Sequence, residues 1–267
     1  MKKILSVLVL IVTGITISAC TNSQNTLVVG LEAAYAPFNW ATQIPNEHTV
    51  RIEGQVGYVD GYDVVVAQHI ADELNMKLVI KVFKWEGLIT ALQSKLIDVI
   101  IAGMSPTAER AKTVNFSDVY YRSEQVMVLL KTSTFNEATS LADFSGAKVV
   151  AQLGTLQDDL ADQILNVNHL TPLESYGAIT QSVKSGEADA FVAELPVAQS
   201  ITATNSDLMY IQFSEGNGFV VTDEQVSVSI ALRKSDTDLL ESINTVLAGI
   251  SEEQRNEWMS AALSRQN

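Results

Sequence analysis

Arg110 is the residue of this chain best placed to bind an anion. It follows Ser105-Pro106-Thr107, where a hydroxyl and a proline predict the start of a helix. Helix N-termini attract anions, and a guanidinium offers a planar pair of donors that matches the two oxygens of a carboxylate. The alternative is a surface arginine paired with Glu109 or Asp118, which contributes little energy. Without further information, the position of Arg110 in the sequence favours the surface arginine, which is the usual case.

Glu194 is a second candidate for binding chemistry. The segment Glu194-Leu195-Pro196 follows the apolar run Ala190-Phe191-Val192, so its carboxylate is expected at the end of a buried strand. The alternative is a glutamate at a helix N-terminus, stabilised only by the helix dipole.

Metal binding and nucleophilic catalysis have little support in the sequence. His48, His69 and His169 lack the spacing of metal ligands, and we interpret them as solvated or structural. No Gly-x-Ser-x-Gly motif is present. We therefore expect neither a metal nor a cofactor.

The N-terminus predicts export. Two lysines precede an uncharged stretch from Ile4 to Ala19, shorter than the roughly 20 residues of a membrane-spanning helix. Its end, Ile17-Ser18-Ala19-Cys20, resembles a lipobox, whose cysteine is lipidated and becomes the first residue. Lipidation also explains the single cysteine, which has no disulfide partner in its own chain. The alternative is an ordinary signal peptide with a cysteine nearby by chance. The polar segment that follows Cys20 favours lipidation, so we predict that residues 1–19 are the signal peptide and residues 20–26 a lipidated tether.

Composition narrows the class of partner. The chain has 267 residues, of which 47% are hydrophobic, enough for one large or two smaller domains. Removal of residues 1–19 takes away two lysines and no acidic residue, which changes the formal net charge from −14 to −16. Such a surface repels phosphate backbones and anionic headgroups, so we expect no nucleic-acid partner.

Strand and helix patterns alternate along the rest of the chain. Apolar runs predict strands at 27–29, 78–82, 98–102, 148–151, 190–192 and 226–232, and helical spacing predicts helices at 63–75, 88–96, 155–165, 178–185, 236–250 and 252–263. This order favours α/β layers with a largely parallel sheet, in two units. The segment 40–58 is long for a connection, and Thr49-Val50-Arg51-Ile52 before Gly54 predicts a hairpin excursion.

Seven motifs together resemble family 3 solute-binding proteins, the extracytoplasmic receptors of ABC transporters for polar amino acids. The motifs are Gly30-Leu31-Glu32-Ala33-Ala34-Tyr35-Ala36-Pro37-Phe38, Gly61-Tyr62-Asp63-Val64, Trp85-Glu86-Gly87-Leu88-Ile89, Ile101-Ala102-Gly103-Met104-Ser105-Pro106-Thr107-Ala108-Glu109-Arg110, Phe116-Ser117-Asp118, Gln152-Leu153-Gly154-Thr155 and Ala193-Glu194-Leu195-Pro196. No single motif is decisive, but their order is that of the family. The resemblance extends over residues 27–265. Within the family, the chain is similar to lysine/arginine/ornithine- and glutamine-binding proteins.

The resemblance implies a two-lobed periplasmic-binding-protein-like fold, with a hinge of two crossing strands and a ligand cleft between the lobes. The crossings fall near 121–125 and 224–226. Lobe 1 is then discontinuous, built from 27–121 and 226–267, and lobe 2 comprises 122–225. Open α/β sheets bind ligands at the carboxyl ends of their strands, which is where this cleft would lie.

The resemblance also implies how the main-chain groups of an amino acid would be held. Arg110 and Thr155 match the family's contacts to the ligand carboxylate, and this match favours binding over the surface alternative for Arg110. Gly103, Ser105 and Glu194 match the family's contacts to the ligand ammonium.

The ligand's side chain would meet a different set of residues. Tyr35 and Trp85 match the family's two aromatic walls, which offer apolar contact and a cation–π face; each could instead be a core aromatic. Glu32 and Gln157 match polar pocket positions of the lysine/arginine/ornithine-binding relatives, with a glutamate where those have the shorter aspartate.

We therefore expect a binding protein for a cationic L-amino acid, arginine, lysine or ornithine, that delivers its ligand to ABC permease subunits. It would be a monomer held at the outer face of the membrane by its lipid anchor. Glutamine, histidine and cystine remain alternative ligands. Two other classes are a dehydratase-like enzyme of the same fold, which would need a positioned acid/base pair, and the sensing domain of a receptor, which would need a transmembrane helix or a signalling domain after residue 265.

Overall fold

The computed structural model describes residues 25–266. The predicted signal peptide and Cys20 lie outside the described residues. The strands are β1 (Thr26–Leu31), β2 (Ala34–Tyr35), β3 (Asn39–Thr42), β4 (Val50–Arg51), β5 (Tyr58–Asp60), β6 (Lys77–Val82), β7 (Val99–Ile100), β8 (Val114–Arg122), β9 (Gln125–Leu130), β10 (Lys148–Val150), β11 (Asn168–His169), β12 (Ala190–Glu194), β13 (Leu208–Ile211) and β14 (Ser227–Arg233). The helices are α1 (Tyr62–Glu73), α2 (Leu88–Gln93), α3 (Ala108–Ala111), α4 (Leu156–Ala161), α5 (Tyr176–Lys184), α6 (Leu195–Thr204), α7 (Thr237–Ala248) and α8 (Glu252–Ser264).

Sheet 1 has the strand order β6-β1-β7-β14-β8. β1 pairs in parallel with β6 and β7, whereas β14 pairs antiparallel with β7 and β8. The inner strands β1 and β7 are apolar and largely buried, as expected where helices cover a parallel sheet. The three parallel strands end at one edge of the sheet, so the loops that follow them meet there.

Sheet 2 has the strand order β11-β10-β12-β9-β13. β10 pairs in parallel with β11 and β12, and β9 pairs antiparallel with β12 and β13. All five residues of β12 are buried, including Glu194 at its carboxyl end. The sequence predicted that a buried strand leads directly to Glu194, and the structure agrees.

The chain passes between the two sheets twice. It leaves sheet 1 after β8 and enters β9 two residues later, and it returns to sheet 1 at β14. The two connections lie side by side, because the Ser123 N–H donates to the Val226 carbonyl at 2.9 Å. The lobe boundaries given above remain a proposal, which this strand membership supports.

Sheet 3 is the excursion expected at 40–58, enlarged to four antiparallel strands in the order β2-β3-β5-β4. The predicted hairpin is present, since β4 pairs antiparallel with β5. The end of the hairpin rests on sheet 1, where the Glu53 N–H donates to the Ile80 carbonyl at 2.8 Å. The excursion therefore extends the outer edge of sheet 1 beside β6.

Three expectations about secondary structure are wrong. Each large sheet is mixed, with two of its four neighbouring pairs antiparallel, because a strand joining the two sheets enters each of them. α2 ends at Gln93, and Leu96 lies beyond it, 52% exposed, after a left-handed residue at Lys95. α4 ends at Ala161 rather than at 165.

Candidate binding site

One cavity lies between sheet 1 and sheet 2, at the carboxyl ends of their parallel strands. Its volume is about 10 Å³, room for about one water molecule. The structure brings all nine binding residues predicted from the sequence to this cavity, together with three that were not predicted. The lining is formed by Glu32, Tyr35, Trp85, Gly103, Ser105, Arg110, Gln152, Thr155, Leu156, Gln157, Tyr176 and Glu194.

Arg110 reaches the cavity from α3, the short helix predicted to begin after Thr107. Thr107 is the N-cap of that helix, and its hydroxyl accepts from the Arg110 N–H at 3.4 Å. The guanidinium donates to the Ser105 carbonyl at 3.0 Å on its own side of the cleft and to the Gly154 carbonyl at 3.3 Å on the other. It also lies over the Trp85 ring, 5.1 Å from the ring centroid. These contacts orient the guanidinium without neutralising its charge.

The surface alternative for Arg110 does not describe its surroundings. Glu109 pairs with Lys112 instead, and Arg110 forms no ion pair with any carboxylate of residues 25–266. Burial lowers the pKa of Arg110 to about 10, and the charge of Asp159 opposes that shift. The guanidinium stays charged at neutral pH. It is therefore a partly buried cation that can still accept an anionic partner.

Glu194 closes the cavity from the sheet 2 side. Its carboxylate accepts a hydrogen bond from the Tyr35 hydroxyl, which comes from the sheet 1 side. Both residues are buried, Glu194 to 2% exposure. Burial raises the pKa of Glu194 to about 8. The carboxyl group thus lies at the wall of the cavity with a neutral donor as its partner, where a cation would lower its pKa.

Glu32 lies at another point of the cavity wall, directly after β1. Its carboxylate accepts from the Gln152 amide at 2.8 Å, again across the cleft. Burial raises the pKa of Glu32 to about 7; the hydrogen bond from Gln152 opposes this shift, and the nearby charge of Glu86 adds to it. Glu32 and Glu194 are therefore two carboxyl groups whose hydrogen-bond donors are both neutral.

Aromatic rings form the remaining walls. The Tyr35 and Tyr176 ring centroids are 5.2 Å apart, so these rings meet across the cleft. Trp85 donates from Nε1 to the Gly154 carbonyl at 2.9 Å. Gly103 has a φ of 63°, and a Cβ there would lie 2.8 Å from the Tyr35 ring. Glycine at 103 lets the main chain approach the ring, which keeps a backbone segment beside the cavity.

A family comparison decides what kind of protein this is. The model of the bacterial extracellular solute-binding proteins, family 3, matches residues 27–261. The chain belongs to that family.

Two curated relatives of this solute-binding protein are similar over most of their length. It is 31% identical to the arginine-binding extracellular protein ArtP of Bacillus subtilis (strain 168), over 97% of this chain and 99% of the relative. It is 30% identical to a probable histidine-binding protein of Campylobacter jejuni subsp. jejuni serotype O:2, over 82% of this chain and 85% of the relative.

Two solved structures show the same fold. One is the amino acid ABC transporter substrate-binding protein AbpA of Streptococcus pneumoniae bound to L-arginine, with a TM-score of 0.76 and 26% identity over 91% of this chain and 96% of that one. The other is the ancestral amino-acid-binding protein AncCDT-1, a precursor of cyclohexadienyl dehydratase. Its TM-score is 0.73, with 28% identity over 90% of this chain and 96% of that one. The predicted two-lobed periplasmic-binding-protein-like fold is confirmed.

Hydroxyl and amide groups complete the cavity of this solute-binding protein. Ser105 is 3% exposed and follows the end of β7. Thr155 caps α4, donating to the Gln152 carbonyl at 2.8 Å and accepting from the Asp158 N–H at 3.4 Å. Gln157 donates to the Gln125 side chain at 3.0 Å. These bonds hold the sheet 2 wall in one arrangement.

Sequence reasoning missed Gln152, Leu156 and Tyr176 as cavity residues. Gln152 stands inside one of the recognised motifs, so its polar side chain just after a predicted strand was an available signal. Leu156 lies between two predicted site residues and could have been inferred from them. Tyr176 opens α5, and nothing in its local sequence marks it, because its role depends on how α5 packs against Tyr35.

Within residues 25–266, the histidines suggest no metal site and the helices suggest no membrane-spanning segment. His169 lies between Asp162 and Asp158, at 2.8 and 2.9 Å, and His69 packs edge-on against Trp258. Across residues 25–266, no group of three or more His, Cys, Asp and Glu side chains is arranged to hold a metal. In the same range, no helix has both the length and the apolar character to cross a membrane.

Proposed function

We propose that this solute-binding protein is the extracytoplasmic receptor of an ABC importer for a cationic L-amino acid, arginine, lysine or ornithine. The observation that carries the proposal is the charge content of the cavity. One guanidinium, which forms no ion pair within residues 25–266, and two carboxyl groups with neutral partners surround a single small space.

A cationic amino acid complements these three groups one for one. Its carboxylate fits the fork of Arg110, its ammonium fits Glu194, and its distal cation fits Glu32. With both glutamates ionised, the three side chains sum to one negative charge, and a ligand with one net positive charge balances it. A neutral amino acid offers no cation to Glu32, whose carboxyl group would then keep only its neutral partner Gln152.

Ligand capture requires the cleft to open and close. A cavity of about 10 Å³ cannot admit an amino acid, and direct contacts join its two sides. Tyr35 bonds to Glu194, Gln152 bonds to Glu32, and both Trp85 and Arg110 donate to Gly154. We propose that these pairs separate when the cleft opens. A ligand that touches both sides would then favour the closed form.

A thermal-shift screen tests the ligand class. The twenty amino acids, ornithine and cystine would each be added to the purified protein, because a ligand at about 100 times its Kd adds roughly 2.7 kcal/mol of stability. We expect arginine, lysine or ornithine to give the largest shift. A screen in which no cationic amino acid stabilises the protein would overturn the proposal.

Glutamine, histidine and cystine are the alternative ligands, and the similarity to a probable histidine-binding protein favours keeping histidine in the screen. The charge argument separates them. A neutral ligand should bind equally well after Glu32→Gln, whereas a cationic ligand should not.

We also propose that the protein binds without catalysis. The likeness to AncCDT-1 makes a dehydratase-like activity the specific alternative. Cyclic dienyl acids would be incubated with the protein and analysed for product. We expect none, and time-dependent product formation would contradict the proposal.

The membrane attachment proposed for this receptor depends on Cys20, in line with a family of extracellular proteins. We propose that lipidated Cys20 tethers a monomer near its permease subunits. Cys20→Ala should release the protein or leave it as unprocessed precursor. Normal processing with unchanged membrane retention in fractionated cells would count against the anchor.

A further inference from the structure

Gln152 occupies a rigid position at the end of sheet 2. It follows β10, and its main chain bridges in parallel to Leu173. Its carbonyl accepts from the Thr155 hydroxyl at 2.8 Å, so it is also tied to the start of α4. The residue is only 2% exposed. A side chain held in this way can impose an orientation on its neighbours.

The amide of Gln152 has a fixed orientation as well. Its Nε2 donates to Glu32 Oε1 at 2.8 Å and to the Glu174 carbonyl at 3.1 Å. Both partners are acceptors, so the nitrogen must face them. Both N–H groups are then used, and within residues 25–266 Oε1 accepts no hydrogen bond. The amide therefore has one acceptor left.

We infer that Gln152 is a specificity-determining residue, which together with Glu32 selects a guanidinium over an ammonium as the distal group of the ligand. The inference rests on the proposed function and narrows its ligand class from cationic amino acids to arginine. Gln152 would act in two ways: its N–H orients the Glu32 carboxylate, and its Oε1 offers a second acceptor beside it.

The geometry suits a planar cation with several donors. A guanidinium carries five N–H groups in a fixed plane and can donate to two acceptors on different side chains at once. An ammonium is a compact point charge whose three rotatable donors require no planar set of acceptors, and it retains its water more strongly. Removing Gln152 should therefore reduce arginine affinity more than lysine affinity.

The test compares two ligands on each variant by calorimetry. Gln152→Met keeps the size of the side chain and removes its donor and acceptor. We expect L-arginine to bind about tenfold more weakly and L-lysine to change by less than about threefold, as for the loss of one or two hydrogen bonds. The ratio of the two affinities is the readout, because it does not depend on the fraction of folded protein.

Gln157→Met is the matched control, since Gln157 is a buried glutamine of the same cavity that bonds to Gln125 rather than to Glu32. It should change both affinities in parallel. Gln152→Asn, whose amide is retracted by one methylene, should lower the ratio as well and serves if Gln152→Met does not fold. An unchanged ratio in the Gln152 variants, or an equal fall in the control, overturns the inference alone. Absence of arginine and lysine binding to the wild type overturns the proposed function itself.

Discussion

Two carboxyl groups on opposite walls of one cavity have different surroundings. The inner pair, Glu194 with Tyr35, is buried on both sides of the cleft, and burial alone accounts for the raised pKa of Glu194. The outer pair, Glu32 with Gln152, includes a half-buried carboxylate near a second acid, Glu86. Each pair joins a carboxylate to a neutral donor across the cleft.

The difference suggests that the two pairs recognise different groups of the ligand. The inner pair is enclosed and would serve the ammonium that every amino acid carries. The outer pair has further polar groups around it, including Glu174, whose carbonyl also binds Gln152 and whose side chain pairs with Lys84 at 2.8 Å. Variation at the outer pair would change ligand choice, whereas variation at the inner pair would change binding as a whole.

Arg110 belongs to neither pair and is proposed to bind the carboxylate that every amino acid carries, so its loss should have the largest effect. Arg110→Ala removes the partner of a carboxylate present in every amino acid ligand. We expect binding of all of them to be lost, at a cost on the order of 2–5 kcal/mol for breaking a buried charge pair. Calorimetry with arginine and glutamine measures the loss.

Arg51→Ala is the matched control for this prediction. Arg51 is exposed on β4, does not line the cavity, and its guanidinium lies 5.4 Å from the Tyr58 ring centroid. Its loss should leave ligand affinity within about twofold, because an exposed cation–π contact outside the cavity contributes to folding only, by roughly 0.5–1 kcal/mol. Normal binding by Arg110→Ala would show that the carboxylate is held elsewhere.

Much of this site could be predicted from the sequence. Residue order carried the resemblance to the family, and the family's positions correspond to nine residues around one cavity. Local chemistry also explains the caps, since Thr107 and Thr155 begin helices as their hydroxyls predict. Arg110 shows the limit of that approach: its position alone favoured a surface arginine, and only the family match favoured binding.

What the sequence did not predict depends on contacts between distant segments. Tyr176 reaches the cavity because α5 packs beside β2, far away in sequence. The ends of α2 and α4 were extended too far, because Leu96 and Leu165 continue the apolar spacing although both are exposed. The mixed strand order follows from the two connections between sheets, which no local pattern encodes.

Glu194→Gln tests the inner pair. The substitution keeps the size and the hydrogen-bonding capacity of the side chain but removes the charge. We expect arginine and glutamine alike to bind more weakly, by about 1.5–3 kcal/mol for a hydrogen bond to a charged group. A loss confined to arginine would contradict the assignment of Glu194 to the ammonium.

Glu32→Gln tests the outer pair and should have a narrower effect. Arginine and lysine should lose roughly 2 kcal/mol of binding free energy, as expected for a charge-assisted hydrogen bond. Glutamine should be nearly unaffected, because it has no distal cation. Calorimetry at two salt concentrations completes the comparison, and unchanged affinity for both cationic ligands would remove the reason to prefer them.

The pH dependence of binding involves both pairs together. The pKa of Glu194 is raised to about 8 and that of Glu32 to about 7, from 4.5, mainly by burial. Protonated carboxyl groups therefore stabilise the closed, ligand-free form relative to a form in which these groups have their ordinary pKa values. This stabilisation is fully present below about pH 4.5 and is lost as the pH rises towards 8.

A cationic ligand needs both carboxylates ionised, so its binding should release protons. Arginine affinity should therefore rise with pH between about pH 5.5 and pH 8, by up to about tenfold per unit for each proton released. Calorimetry in buffers of different ionisation enthalpy counts those protons directly. Glu32→Gln and Glu194→Gln should each make the rise shallower, because one titrating group is gone. Glutamine, which has no distal cation to ionise Glu32, should release fewer protons than arginine. If arginine and glutamine released equal numbers of protons, or if wild-type affinity were independent of pH, the assignment of Glu194 to the ammonium and Glu32 to the distal cation would be wrong.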